Sequence, residues 1–199
     1  MSDPLFLSLA KSIRDIALVA GEEILSVYES DFSVRNKKDL SPVTAADEAA
    51  ERVIIEGLSK LEPSFPVLAE ESFSRGAIPN VGNEPFWAVD PLDGTKEFIE
   101  GVPNFVVSIA LVNENEPILG VLYNPVTEEI FSAAKDKGAY LNGEPIFCSK
   151  KEKLNQMIIL NSRSETNRGL WRSYANIFRE LKPVGSVAYK LGLTAAGKG

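Results

Sequence analysis

Two neighbouring stretches decide the fold: VDPLDGTKEF at residues 89–98 and VLAEES at residues 67–72. Each is tied to an apolar segment, typical of a short strand, that ends in carboxylates: residues 67–69 in one case and residues 87–89 in the other. The upstream segment leads into Glu70 and Glu71, and the downstream segment leads into Asp90. Two strands of one sheet would bring these ends close together, and clustered carboxylates repel each other unless a cation lies between them. The two stretches therefore predict a cation site at one edge of a sheet.

The turn after Asp90 adds further oxygen donors. Pro91 has no N–H and stiffens the turn, which leaves the Leu92 carbonyl free to face inward. Asp93 then returns to the same side as Asp90. Together with Glu70, these groups would form an oxygen-only shell of the kind that suits magnesium.

The same residue types also have purely structural explanations. An Asp-Pro-x-Asp-Gly string is common turn chemistry. Asp47 follows Thr44 by three residues, which is the spacing of a capping box, so it can serve a helix end as well as a site. Glu71 can be a solvated neighbour, and Lys37 and Lys38 are typical of a charged loop.

The composition narrows the chemistry further. The chain has 199 residues, a formal net charge of -7 and a sequence pI near 4.8, which argues against a nucleic-acid polymer as partner. It contains no histidine and one cysteine, Cys148, which excludes a Ser-His-Asp triad within the chain and argues against zinc. A single cysteine permits no intramolecular disulfide, which fits a reducing cytoplasm.

An acidic protein must cancel the charge of an anionic small molecule locally, with a cation or with backbone N–H groups. Gly94 and Thr95 are predicted to open a helix whose free N–H groups would receive a phosphate. The first residues lack the apolar run of a signal peptide, and we expect no membrane span.

The spacing of apolar residues predicts an α+β fold, in which two helices precede a sheet. The helices are predicted at residues 5–29 and 44–60, on either side of a polar loop at residues 31–43. Short apolar runs predict an antiparallel meander at residues 67–69, 86–89, 105–112, 118–123 and 130–134. A smaller second layer is predicted from a strand at 157–160, a helix at 168–181 and a helix from about 186. We therefore expect residues 1–150 to carry the metal site and residues 151–199 to form a partial α/β layer.

These motifs resemble a known superfamily. VDPLDGTKEF, the paired acids of AEES and SPVTAAD at residues 41–47 resemble the signature of the inositol monophosphatases. The TKEF ending, NSRSE at 161–165 and GSVAYK at 185–190 are similar to bacterial 3′(2′),5′-bisphosphate nucleotidases. The resemblance implies a layered α/β sandwich with an antiparallel sheet and paired helices. It also implies a magnesium-dependent, lithium-sensitive enzyme in the cytoplasm, with peripheral association with the inner membrane left open.

The reaction implied is hydrolysis of a small-molecule phosphomonoester. The best-matched substrate is 3′-phosphoadenosine 5′-phosphate, which would give AMP and inorganic phosphate. An inositol or sugar phosphate remains an alternative substrate. A non-catalytic protein that binds a metal ion and an anion is a second alternative.

The resemblance also implies roles for the metal ligands. Glu70, Asp90 and the Leu92 carbonyl would hold the first of two or three Mg²⁺ ions, and Asp90 with Asp93 would hold part of the second. Thr95, paired with Asp47, would help Glu70 to activate the attacking water.

Three glycine and serine positions complete the implied site, together with groups already named. The backbone of Gly94 and Thr95, next to Asp93, would hold the phosphate oxygens. Gly185 and Ser186 would lie near the nucleoside or ring side of the substrate.

One family motif is absent from this sequence. The family supplies another metal-binding aspartate from a Trp-Asp-x-Ala-Gly motif, which does not occur in the 199 residues. We therefore expect a second metal position with one ligand fewer, and slower turnover than in a version that includes the motif. We also expect an incomplete smaller layer whose uncovered edge favours a homodimer.

Overall fold

The computed structural model describes residues 3–30, 34–36, 42–77, 79–82 and 84–199. Six α-helices lie in the described residues: α1 Asp3–Tyr28, α2 Ala45–Ser59, α3 Glu70–Ser74, α4 Thr95–Ile99, α5 Arg163–Asn167 and α6 Val187–Ala195. The strands are β1 Val34–Asn36, β2 Pro42–Thr44, β3 Val67–Ala69, β4 Phe86–Asp93, β5 Val106–Asn113, β6 Glu116–Asn124, β7 Glu129–Ala134, β8 Gly138–Leu141, β9 Glu144–Pro145, β10 Ile158–Ser162 and β11 Glu180–Val184. Two 3₁₀ turns lie at Leu154–Gln156 and Arg172–Tyr174.

The main sheet has seven strands in the order β3-β4-β5-β6-β7-β8-β9. The β3–β4 pair is parallel, and every later pair in this sheet is antiparallel. The antiparallel meander that the sequence predicts is therefore confirmed from β4 onward, but it is wrong for residues 67–69, because β3 runs in the same direction as β4. This parallel pair matters for the site because both strands end at the same edge.

Two apolar layers cover the two faces of this sheet. On one face, α1 and α2 pack through an apolar stripe that includes Ile13, Ala17 and Ile54, all fully or almost fully buried. On the other face, Val106 and Phe131 pack against the C-terminal residues Val184, Tyr189 and Leu193. Neighbouring residues of a strand point to opposite faces, so one strand serves both layers.

Both long N-terminal helices form where the sequence predicts them. The second begins with a full capping box, in which the Thr44 side chain accepts from the helix and Asp47 accepts from the Thr44 N–H. The prediction of a polar loop is wrong at residues 34–36 and 42–43, because residues 34–36 and 42–44 pair as antiparallel strands. Residues 31–33 and 37–41, which include Lys37 and Lys38, lie outside the described residues.

The predicted helix at residues 168–181 is wrong. The segment holds only a 3₁₀ turn, and its end forms β11, which pairs in parallel with β10. Leu170, Tyr174 and Ile177 are 55%, 45% and 40% exposed, so a helix here would bury little apolar surface. Helices of this length depend on such burial for most of their stability. The short strands β8 and β9 are too short and too polar for the apolar pattern to reveal.

In the described part of the chain, no helix combines the length and the apolar character that crossing a membrane requires.

Candidate active site

The two acidic strand ends meet as the sequence predicts. Ala69, the last residue of β3, pairs with Val89 in parallel register. Glu70 is therefore the first residue of α3 at the same edge where Asp90 lies on β4. The ladder to β5 shifts register between Asp90 and Asp93. The strand therefore bends within residues 90–93, which we call the acidic turn. A shift of this kind re-aims side chains next to sites.

Asp90 and Glu70 are in direct contact. The carboxyl groups share a hydrogen bond, and the Leu92 N–H donates to Asp90 Oδ1 at 3.1 Å. Burial, followed by the negative charges of Glu70 and Asp93, raises the pKa of Asp90 to about 8. Two carboxyl groups in such contact need either a shared proton or a cation between them. Their donor set is oxygen only, so it fits a hard cation such as Mg²⁺.

Asp93 is turned toward the C-terminal layer. Its Oδ2 accepts from the Ser186 hydroxyl and from the Ala188 N–H, both at 2.6 Å. Among the described residues, no group of three or more acidic or cysteine side chains is arranged to hold a metal ion. The structure therefore brings Glu70 and Asp90 together, while Asp93 contacts the start of α6. The metal assignments remain predictions.

Thr95 and Asp47 form the second contact that the sequence predicts. The Thr95 hydroxyl lies 3.1 Å from Asp47 Oδ1 and 3.2 Å from the Leu92 carbonyl. Asp47 Oδ2 accepts from both the N–H and the hydroxyl of Thr44 at 2.7 Å. Burial raises the pKa of Asp47, although the hydrogen bonds from Thr44 and Thr95 lower it in part. Asp47 therefore serves the helix end and contacts the site residue at once.

Gly94 allows the turn from β4 into α4. Its φ of 104° is a left-handed conformation that glycine adopts readily. A Cβ at this position would lie 2.7 Å from the Asn104 carbonyl oxygen, so the close approach of the chain also requires glycine. Thr95 is the first residue of the helix, as the sequence predicts.

These residues line one wall of an open pocket of about 270 Å³. That wall holds Glu70, Asp93 and residues 94–97, and the opposite wall holds residues 162–164, 184–187 and Lys190. Gly185 and Ser186 therefore lie at this pocket beside the acidic turn, where the Ser186 hydroxyl donates to Asp93. Their role toward a substrate remains a prediction.

Two polar residues that were not among the predicted site residues, Arg163 and Glu51, support this pocket. Arg163 forms ion pairs with Glu97 at 3.1 Å and with Glu100 at 2.8 Å, which joins the C-terminal layer to α4. Glu51 is buried and bonds to the start of α3. Arg163 lies in the NSRSE motif, which gave it a positional signal, whereas Glu51 lies one helical turn after Asp47, a spacing that does not reveal its partners.

Comparisons with known proteins find relatives over most of the chain. A model of the inositol monophosphatase family matches residues 8–199. The chain is 37% identical over 203 residues to an inositol monophosphatase from Dictyostelium discoideum, covering 94% of this chain and 72% of that protein. It is 48% identical over 127 residues to the 3′(2′),5′-bisphosphate nucleotidase CysQ of Escherichia coli (strain K12), covering 63% of this chain and 51% of that protein.

Solved structures of this kind share the fold. The extragenic suppressor protein suhB from Bartonella henselae superposes with a TM-score of 0.82 at 29% identity, over 96% of this chain and 76% of that one. The IMPase TM1415 from Thermotoga maritima gives a TM-score of 0.82 at 27% identity, over 92% of this chain and 71% of that one. The predicted α+β fold class is confirmed.

The layered fold places the chain in the structural class of these inositol monophosphatase-type proteins. The chain belongs to the inositol monophosphatase family. It spans about half the length of the CysQ relatives that it matches.

Proposed function

We propose that this chain hydrolyses a phosphomonoester with the help of Mg²⁺, and that its substrate class is the 3′(2′),5′-bisphosphate nucleotides. The observation that carries this proposal is the contact of Glu70 with Asp90 at the ends of two parallel strands, with Thr95 and Asp47 paired beside them. For 3′-phosphoadenosine 5′-phosphate, water would replace the ester oxygen at phosphorus, and AMP and inorganic phosphate would leave.

The residues at the acidic turn would hold the cation and accept the proton of the attacking water. Glu70, Asp90 and the Leu92 carbonyl would hold Mg²⁺, and Asp93 would contribute with Asp90 to a second position. When bound, Mg²⁺ would lower the pKa of a water molecule and neutralise charge on the phosphate oxygens. No histidine is available as a base, so the proton of the attacking water would pass to carboxylate oxygens of this chain.

Thr95 and Asp47 would orient the attacking water. Asp47 Oδ1 can accept the Thr95 proton, which leaves the lone pairs of the Thr95 oxygen free to accept a hydrogen bond from water. The backbone N–H groups of Gly94 and Thr95 would hold the phosphate oxygens. The glycine lets the chain approach the substrate without a side chain in between.

Two lysines support a substrate with a second anionic group. Lys96 and Lys190 line the pocket on opposite sides, and neither forms an ion pair with another residue in the described ranges. Lys96 belongs to the TKEF ending that resembles the nucleotidases. A second phosphate on the nucleotide would give these lysines a partner, whereas the ring of an inositol monophosphate would not.

An inositol or sugar monophosphate is the second candidate. It is favoured by coverage, because inositol monophosphatases from Dictyostelium discoideum and Solanum lycopersicum align over 94% and 92% of this chain, whereas CysQ aligns over 63%. Identity favours the nucleotidase, at 48% against 37% and 35%.

The rate of phosphate release from each candidate substrate tests which of the two substrate classes is correct. The kcat/KM of the chain with saturating Mg²⁺ should be at least about tenfold higher for 3′-phosphoadenosine 5′-phosphate than for inositol 1-phosphate. Lys190→Met should narrow that ratio by raising KM for the bisphosphate alone. A preference for inositol 1-phosphate that survives in Lys190→Met would refute the substrate class. Absence of turnover on both, with Mg²⁺ still bound, would leave the protein as a binding module.

A further inference from the structure

Glu51 is a buried carboxylate outside the acidic turn. It lies on α2, and only 2% of its surface is exposed. Four groups surround its two oxygens, and all four belong to α3 or the residue that follows it. Burying a carboxylate is costly unless its oxygens are hydrogen-bonded, so the buried Glu51 must keep its bonds to these groups.

Both oxygens of Glu51 contact the beginning of α3. Oε2 accepts from the Glu71 N–H at 2.8 Å and from the Ser72 N–H at 3.2 Å. Oε1 accepts from the Ser72 hydroxyl at 2.6 Å and from Arg75 Nη2 at 3.0 Å. The Glu71 and Ser72 N–H groups are among the free amides that a helix exposes at its first turn.

The position that would normally cap this helix cannot do so. Ala69 is the N-cap residue of α3 and has no side-chain hydrogen bond to the helix. Glu51, some twenty residues earlier, replaces that missing cap from a neighbouring helix. The first residue of the helix that it fixes is Glu70.

We propose that Glu51 is a positioning residue for Glu70, which holds the backbone of Glu70 in the place where its carboxylate meets Asp90. This inference rests on the proposed function, since it deepens the account of the same site. Glu51 follows Asp47 by one turn of α2, so the two side chains lie about 6 Å apart along one face. One face of α2 therefore fixes two of the site's groups: Thr95 through Asp47 and Glu70 through Glu51.

The test compares Mg²⁺ affinity and kinetics in four proteins: wild type, Glu51→Ala, Glu51→Gln and Glu48→Gln. Glu51→Ala removes the four hydrogen bonds that the Glu51 carboxylate accepts. Glu51→Gln retains an oxygen that can accept from the Glu71 and Ser72 amides. Glu48→Gln is the matched control, because Glu48 lies on the same helix and contacts the same arginine, Arg75, at 3.5 Å. Thermal denaturation of each protein sets an assay temperature at which all of them are folded.

Loss of a supporting partner of a metal ligand costs about 10- to 100-fold in affinity or activity. We therefore expect Glu51→Ala to weaken Mg²⁺ binding by at least about tenfold in calorimetry and to lower kcat by a similar factor, with KM changed less than about threefold. Glu51→Gln should recover most of this loss, and Glu48→Gln should match wild type. If Glu51→Ala fails to fold, Ser72→Ala replaces it, with an expected loss of Mg²⁺ affinity of about threefold.

The double variant separates positioning from a structural role. In a Glu70→Gln background, Glu51→Ala should weaken Mg²⁺ binding no further, because the ligand it positions has already been changed. An equal loss in both backgrounds would overturn the inference, as would Mg²⁺ affinity in Glu51→Ala equal to that of wild type. A wild-type chain that binds no Mg²⁺ and releases no phosphate would instead refute the proposed function, and this inference with it.

Discussion

Thr95 has one hydroxyl proton and two acceptors within reach, Asp47 Oδ1 at 3.1 Å and the Leu92 carbonyl at 3.2 Å. A hydroxyl can donate only one hydrogen bond at a time, while its oxygen can accept two. Donation to the Asp47 carboxylate is the charge-assisted and therefore stronger choice. It would leave the Leu92 carbonyl free to face a cation and the Thr95 oxygen free to accept from water.

Thr95→Ala tests this arrangement. Removal of the hydroxyl should lower kcat by about 10²-fold, because a general acid–base arrangement contributes at least that much. Mg²⁺ affinity should change little, since the hydroxyl orients water and does not hold the cation. Steady-state kinetics and calorimetry measure the two quantities separately.

Thr95→Ser is the matched control, because it keeps the hydroxyl and removes only a methyl group. It should retain most of the wild-type kcat. If the alanine variant turned over substrate at the wild-type rate, Thr95 would be only the first residue of α4.

The contact between Glu70 and Asp90 could be predicted from the sequence, because each residue directly follows an apolar strand segment. The role of Glu51 could not, since its partners Glu71 and Ser72 lie 20 and 21 residues away along the chain. A buried glutamate on a helix looks like any surface glutamate in the sequence. Only the packing of α2 beside α3 reveals which amides it meets.

At the scale of elements, sequence patterns succeeded where burial and spacing agree. The helices α1 and α2 place apolar residues on one face, and that face is buried in the structure. The segment 168–181 has helical spacing too, but its apolar residues remain exposed and the backbone pairs as β11 instead. The end of this segment is therefore a strand because it pairs with β10, although its local sequence pattern is typical of a helix.

Gly185 lies where the C-terminal layer packs tightly against Glu97 of α4. A Cβ there would lie 2.1 Å from Glu97 Cγ, and the Gly185 N–H donates to Asn104 Oδ1 at 3.4 Å. Glu97 is also the partner of Arg163, so it cannot move without loss of an ion pair.

Gly185→Ala should therefore widen the pocket and destabilise the protein by about 1–3 kcal/mol, the usual cost of overpacking. Urea denaturation measures the free energy of unfolding, and KM for the substrate should rise as the walls separate. Gly120→Ala is the control, because a Cβ there would meet its nearest atom, the Ile109 carbonyl oxygen, at 3.7 Å. An alanine at 185 with wild-type stability and KM would contradict the close approach.

Glu129 joins the sheet to the far end of the C-terminal layer. Burial alone would raise the pKa of Glu129, but hydrogen bonds from Lys198, Tyr189 and Thr127 hold it below its ordinary value. Because the pKa is lower in the folded state than in the unfolded chain, the stabilisation is present above about pH 4.5 and is lost as pH falls through the folded value.

Glu129→Gln should accordingly destabilise the protein at pH 7 by about 1 kcal/mol, and the difference from wild type should shrink as pH falls from 5 to 3. Urea denaturation at a series of pH values gives both free energies of unfolding. The exposed neighbour Glu128 provides the control variant Glu128→Gln, which should show no such trend. A difference that is constant across this pH range would rule out the ionised Glu129 as its source.

At the scale of the whole molecule, the pocket is built from two layers that meet at the acidic turn. Asp93 accepts from the start of α6, and Glu97 pairs with Arg163, so two acidic residues of the 89–98 stretch hold the C-terminal layer in place. The stretch that decides the fold thus also supplies the proposed catalytic groups. This dual use explains why its pattern is so dense in charged and turn-forming residues.

Mg²⁺-dependent phosphate release from 3′-phosphoadenosine 5′-phosphate, compared between wild type and Asp90→Asn, directly tests the part that Asp90 plays in the proposed reaction. We expect release by wild type that requires Mg²⁺, a fall in kcat of at least about 10²-fold in Asp90→Asn, and weaker Mg²⁺ binding by Asp90→Asn in calorimetry. The exposed Asp136, changed to Asn, should behave as wild type. Unchanged Mg²⁺ affinity and turnover in Asp90→Asn would contradict the account, because the contact of Asp90 with Glu70 would then have no part in the reaction.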